Sequence, residues 1–219
     1  MQPAGLMRDS PGEIVVECLG KEELAADEAW WGLYESAFPA SEREPRDVIF
    51  RSLELGVGVA FRARREGRTI GLATTHLLRR PPTVFLVYLA VDSTYRGAGV
   101  GRELFEVAWQ VSAEKIVASG ERPLGYVWEV DPAPADGAVD VCRRRVGFFE
   151  RQGGRVITRK YRQPPVDGIN IVPMWLMYRP APTDGAVDID VLVRAMYREK
   201  YGQVNGIDVN RLLDRRDDD

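Results

Sequence analysis

The stretch LAVDSTYRGAGVGRELF, Leu89–Phe105, decides the fold. An apolar run ends in a turn holding Gly97, Gly99 and Gly101, and helix-forming residues follow at once. Glycines admit positive φ, so successive main-chain N–H groups can converge on one point. A helix starting there adds its partial positive charge. Arg96, Gly97, Ala98, Gly99, Val100, Gly101 and Arg102 are therefore predicted to form an anion cradle suited to a pyrophosphate. An inward-pointing Arg96 would add a charge-assisted bond.

Upstream, Val84–Val91 (VFLVYLAV) is apolar on both faces, which predicts a central strand covered on each side. Downstream, Leu104, Ala108 and Val111 make one stripe of a helix from about Gly101 to Ala118. Glu13–Leu19 reads as a first strand, and Glu22–Phe38 as an amphipathic helix ended by Pro39. Ser41-Glu42-Arg43-Glu44 has the form of a capping box, opening a second helix to about Leu55. Val57–Arg65 and Arg68–Leu78 read as a hairpin about Glu66-Gly67. Beyond the long helix come a strand Leu124–Asp131, a Pro- and Ala-rich loop, and a helix Ala138–Gln152. Two strands, Arg155–Arg162 and Ile169–Arg179, complete the pattern. This order predicts an α/β (α+β) fold with one mixed sheet and helices on both faces.

Residues 13–180 are read as one domain and 181–219 as an acidic extension with one short helix on Ile189, Leu192, Val193 and Met196. The formal charge of −3 falls entirely in that extension, because basic and acidic residues balance up to Pro180. A chain so nearly neutral is not expected to bind nucleic acid. Cys18 and Cys142 lack metal-ligand spacing, and His76 is the only histidine, so no metal site is expected. The opening residues lack an apolar signal core, and no run of about 18 apolar residues occurs, which predicts a cytoplasmic protein without a membrane span.

Three phosphate-binding motifs compete for the turn. A dinucleotide fingerprint needs glycine where Arg102 stands, and a Walker A loop needs Gly-Lys-Ser/Thr where Gly101-Arg102-Glu103 stands. The remaining form, Arg96-x-x-Gly99-x-Gly101, resembles the acetyl-CoA-binding motif of the GNAT superfamily of acyl-CoA-dependent N-acetyltransferases. YLAVDSTYRG resembles that family's fourth strand and loop, and FFERQGG (Phe148–Gly154) its helix ending in FYexxGF. The resemblance covers roughly Glu13–Arg179.

It implies a centrally splayed sheet, with acetyl-CoA as co-substrate and a small-molecule or peptide amine as acceptor. The pantetheine arm would pair with main-chain groups of Leu89, Ala90 and Val91. The pyrophosphate would lie on amides from Arg96 to Gly101, and an N–H near Leu89 or Ala90 would polarise the thioester carbonyl. A lysine-like ammonium is neutral only about once in 10³ molecules at pH 7, so a proton acceptor is required. Glu129 is the favoured base, with Asp131 on the same strand face and His76 as alternatives. Equally, a carboxylate here could simply pair with an arginine at the sheet edge.

Phe149 stands at the cofactor-facing position where many relatives carry a tyrosine acid, and Tyr88, Tyr95, Tyr126 and Tyr161 are the substitutes to weigh. Cys142 reads as a small buried apolar residue. Acceptor recognition would fall to Phe38–Arg43, with Tyr161 and Trp175, and Arg43 and Arg46 could hold an anion. Arg143-Arg144-Arg145 reads as a solvated helix face that could meet the adenosine phosphate. A non-catalytic acyl-CoA-binding module and a nucleotide-binding regulator are the alternative classes, and edge strands and the tail allow a homodimer.

Overall fold

The computed structural model describes residues 12–131, 139–182 and 186–217. The opening stretch 1–11, most of the Pro- and Ala-rich loop and the last two residues lie outside them.

Seven strands form one mixed sheet in the order β1-β2-β3-β4-β5-β7-β6. They are β1 (Val15–Leu19), β2 (Gly58–Arg65), β3 (Arg68–Arg79), β4 (Pro82–Val91), β5 (Gly125–Val130), β6 (Arg155–Gln163) and β7 (Val172–Pro180). Only β4 and β5 run parallel, and they pair solely from Val84–Leu86 to Tyr126–Trp128. Past that point β4 continues along β3 to Val91 while β5 continues along β7 to Val130. A bulge assists the parting: Thr74 opposes Tyr88 and Thr75 opposes Leu86, so Val87 is skipped. The sheet is thus splayed at its centre, as expected.

Helices cover both faces. On one lie α4 (Val100–Ala118) and α5 (Val139–Arg151), packed on Val84, Leu86, Tyr126 and Trp128. On the other, α1 (Lys21–Ala26), α2 (Glu28–Ala37) and α3 (Arg46–Glu54) cover β2 to β4. Strand alternation explains the division, because Phe85 and Val127 point opposite to their neighbours.

Several boundaries differ from expectation. The predicted helix Glu22–Phe38 is two helices, because Asp27 leaves helical geometry (φ −89°, ψ 80°) and accepts from Trp30 N at 2.9 Å. That carboxylate caps α2 and ends α1. The capping box at Ser41 does not form: Ala40–Glu42 is a 3₁₀ turn, and α3 starts at Arg46 after Pro45. The last strand starts at Val172, later than expected, because Asp167 accepts from the N–H groups of Ile169 and Asn170 in a turn.

The carboxy-terminal extension forms three helical segments where periodicity predicts one. These are α6 (Ile189–Ala195), a π-helix over Met196–Val204, and α7 (Asn210–Asp217). Leu192, Val193, Met196, Tyr197 and Tyr201 are buried and share one apolar cluster with Phe85, Val127 and Leu176. The extension therefore covers the sheet face that α1–α3 leave bare beyond β4. Among the described residues no helix is long and apolar enough to cross a membrane.

Candidate active site

Gly97 (φ +82°) and Gly99 (φ +87°) adopt the left-handed backbone that the turn requires. A Cβ at either would meet no atom within 4 Å, so conformation rather than crowding demands glycine, and the space above the turn is open. Gly101 differs: its Cβ would lie 3.5 Å from Val91 and 3.6 Å from Phe148, so it packs. The first bond of α4 runs from Glu103 N to Gly99 O at 3.0 Å. The N–H groups of Val100, Gly101 and Arg102 consequently project from the helix end. Exposed Arg96 and Arg102 flank them. This is the geometry an anionic diphosphate fits.

Where β4 and β5 part, the β5-facing edge of β4 from Val87 to Val91 has no strand partner among the described residues. Leu89, Ala90 and Val91 lie on this free edge, next to the cradle. Glu129 follows the parting on β5, on the face turned from α4, and Asp131 lies just past the strand's end.

Glu129 is half-buried, and it accepts from Tyr201 Oη at 2.7 Å and Gln163 Nε2 at 2.9 Å. The Tyr161 hydroxyl approaches the same carboxylate without an aligned hydrogen bond. Burial outweighs these donors and pushes the Glu129 carboxyl up to about 7. Glu42, on the turn before α3, is also raised to about 7, first by burial and then by the charge of Asp131, to which it is hydrogen-bonded. Asp131 in turn pairs with Arg145 of α5, and its carbonyl accepts from Cys142 Sγ at 2.8 Å. Three carboxyls thus meet at one mouth, two of them poised to exchange protons near neutrality.

Buried tyrosines hold this mouth in shape. Tyr88 Oη donates to Glu42 O at 2.8 Å and accepts from Glu44 N at 2.9 Å, while Tyr34 Oη donates to Glu44 O at 3.1 Å. Glu44 itself is buried, and its carboxylate accepts from Lys200 Nζ at 2.8 and 2.9 Å and from Asn205 Nδ2 at 2.7 Å. A residue expected to cap a helix is instead one half of a buried ion pair.

His76 is not brought to this cluster. It is 1% exposed, and neither ring nitrogen has a hydrogen-bond partner among the described residues. Burial, reinforced by Lys200 and Arg79, holds it neutral well below its ordinary pKa. Asp131 is committed to Arg145 and Glu42. Phe149 lies in the core against Trp128 (4.9 Å between ring centroids) and Phe105 (5.6 Å), whereas Phe148 is the ring beside Gly101.

Of the candidate substitute tyrosines, Tyr88 is occupied by main-chain bonds, and Tyr126 is sealed between Phe105 and Trp109. Arg43 donates to the Glu35 carbonyl at 3.1 Å and Arg46 pairs with the Glu35 carboxylate at 2.9 Å. Trp175 stacks under Arg159 at 4.6 Å. Cys142 is buried, and burial raises its thiol pKa. The sequence reading missed Tyr201, Gln163 and Lys200. Gln163 closes β6 with no signal of its own, and the only local signal for Tyr201 and Lys200 was the apolar stripe of the extension, which announces that the segment packs but not on what.

No curated protein matches the chain. Among solved structures, a GNAT-family acetyltransferase assignment from Bacteroides thetaiotaomicron aligns over 88% of this chain and 99% of its own, with TM-score 0.64 and 18% identity. The ribosomal-protein-S18-alanine N-acetyltransferase of Escherichia coli aligns over 77% and 94% (TM-score 0.52, 20% identity). An aminoglycoside 6′-N-acetyltransferase complexed with coenzyme A aligns over 76% and 96% (TM-score 0.56, 12% identity). At these identities the likeness is one of fold. The model of the acetyltransferase (GNAT) family matches residues 26–148, more than half of the sequence. With a glycine cradle, a parted central sheet and a family match spanning both, the chain belongs to the GNAT acetyltransferase family.

Proposed function

We propose that the protein transfers an acetyl group from acetyl-CoA to a primary amine of a small molecule or peptide, by direct attack in a ternary complex. The observation that carries this reading is the position of Glu129, just past the point where β4 and β5 part. The free edge of β4 leads from that point to the cradle. A fold relative was crystallised with coenzyme A, which supports that class of donor.

On this reading the diphosphate is held by N–H groups from Gly97 to Arg102, and the pantetheine arm runs along Leu89, Ala90 and Val91. An N–H of this edge faces the thioester oxygen. Donors preorganised for a developing oxyanion are worth about 3 kcal/mol each. The acceptor enters from the Glu42 side, where carboxylates favour a cationic amine. Glu129 takes one proton from the ammonium, the neutral amine then attacks the thioester carbon to form the C–N bond, and the second N–H proton passes to solvent. The C–S bond then breaks to release a thiolate that needs no tyrosine at position 149 to leave at neutral pH.

The direct test is release of free CoA thiol across a panel of primary amines. Acetyl-CoA binding without turnover of any amine would convert the protein into a binding module. Gly99→Trp tests the cradle separately. It strains a φ of +87° and fills the space above the turn. Losing three charge-assisted contacts is expected to weaken CoA binding about 100-fold or more by calorimetry. Unchanged affinity would remove the diphosphate from this turn.

A further inference from the structure

We infer that Tyr201, brought in by the carboxy-terminal π-helix, is the positioning residue for Glu129 and makes the extension part of the active site. The inference rests on the base role of Glu129 proposed above.

Tyr201 is fully buried and its hydroxyl bonds one carboxylate oxygen of Glu129 at 2.7 Å. Gln163 Nε2 bonds the other at 2.9 Å. Two donors on different oxygens fix the carboxylate's rotation and leave each oxygen a lone pair for an incoming amine. The donor has to arrive from a rigid support, and the extension supplies one. Glu199 accepts from the N–H groups of Arg79 and Arg80 at 2.7 and 3.2 Å. Lys200 and Asn205 hold Glu44, Arg51 Nη1 donates to Val204 O at 3.0 Å, and Tyr197 Oη donates to Arg162 O at 2.7 Å. Consecutive residues Lys200 and Tyr201 thereby reach two different acids of the site. The segment that does so is a π-helix, a rare geometry that occurs frequently at functional sites.

The groups facing Glu129 are Tyr161 and Gln163 from β6, Tyr201 from the π-helix, Glu44 from the loop before α3, and Glu42 at the site mouth. Glu44, although paired with Lys200, and Glu42 both oppose ionisation of Glu129. The tyrosine and glutamine donors favour it. Removing the Tyr201 hydroxyl therefore raises the pKa of Glu129.

The test uses the full chain carrying Tyr201→Phe, which deletes one oxygen from a buried ring, with circular dichroism confirming the fold. Two readouts are taken: the pH profile of kcat/KM, and the ¹³C carboxyl titration of Glu129, assigned with Glu129→Gln. Both midpoints are expected to rise by about one pH unit, the loss of one charge-assisted hydrogen bond. Activity should then fall about tenfold at pH 6 and stay near wild type at pH 9. An unmoved carboxyl midpoint, or an equal loss at every pH, overturns the inference and leaves Tyr201 a packing residue. A shifted carboxyl midpoint with an unshifted pH profile upholds the contact and removes Glu129 from the base role.

Discussion

Glu129→Gln is expected to lower kcat/KM about 10²- to 10³-fold at pH 7, the range associated with loss of a general base. The deficit should narrow steadily toward pH 9–10, where a lysine-like acceptor loses its own proton more readily. The wild-type profile should rise through about pH 7, where Glu129 and Glu42 give up protons. Glu42→Gln separates the two contributions, because it leaves the Glu129 carboxylate in place. A small effect of Glu129→Gln at every pH would assign the base elsewhere.

The same substitution carries a stability signature of opposite sign. The folded carboxyl keeps its proton up to about pH 7, whereas an unfolded glutamate loses it near 4.5. The unfolded state therefore binds fewer protons across that window, and wild-type stability falls as pH rises through it. Glutamine escapes that penalty and can still accept from Tyr201. At pH 8 the variant is expected to be more stable by up to about 3 kcal/mol, a difference that fades below pH 4.5. A gain in Tm beside a loss of turnover is what a strained catalytic carboxylate produces. Equal Tm values at pH 5 and pH 8 would place Glu129 in an ordinary solvated setting.

Lys200→Met is expected to have the largest effect on folding. Lys200 and Glu44 are each 2% exposed at the side chain, with 2.8 Å between nitrogen and oxygen. Deleting one partner of a buried pair commonly costs about 3 to 5 kcal/mol, because the other charge remains without compensation. Asn205 still donates to Glu44 at 2.7 Å, so the loss should fall at the lower end of that range. It should shrink at acid pH, where the stranded carboxyl takes up a proton. The double variant Glu44→Gln/Lys200→Met removes both charges and keeps an acceptor for Asn205, so it should recover most of the lost stability. Denaturant midpoints of the two single variants and the double variant form the cycle that decides it. Additive losses would show that the two residues act independently.

Much of the site was legible because it depends on short-range rules. Positive φ at Gly97 and Gly99 follows from residue type. The burial of β4 follows from its uninterrupted apolar run, and the face that Glu129 takes follows from the two-residue period of a strand. Those features locate the cradle, the central strand and the leading carboxylate without any knowledge of distant packing. The capping-box reading of Ser41–Glu44 failed for the complementary reason: local chemistry allowed it, but Tyr34, Tyr88 and Lys200 offered Glu44 stronger partners.

The partners of the carboxylates belong to the tertiary structure alone. Lys200 lies 156 residues from Glu44, and Tyr201 lies 72 from Glu129. No periodicity links such positions. They meet because the extension must bury Leu192, Met196 and Tyr197 against Phe85 and Val127, and that docking sets where the neighbouring polar groups arrive. Residue types along the chain thus determined where a thioester's phosphates could be gripped. Only the packing of one apolar face on another decided which acids stand in the gap charged, paired or still holding a proton.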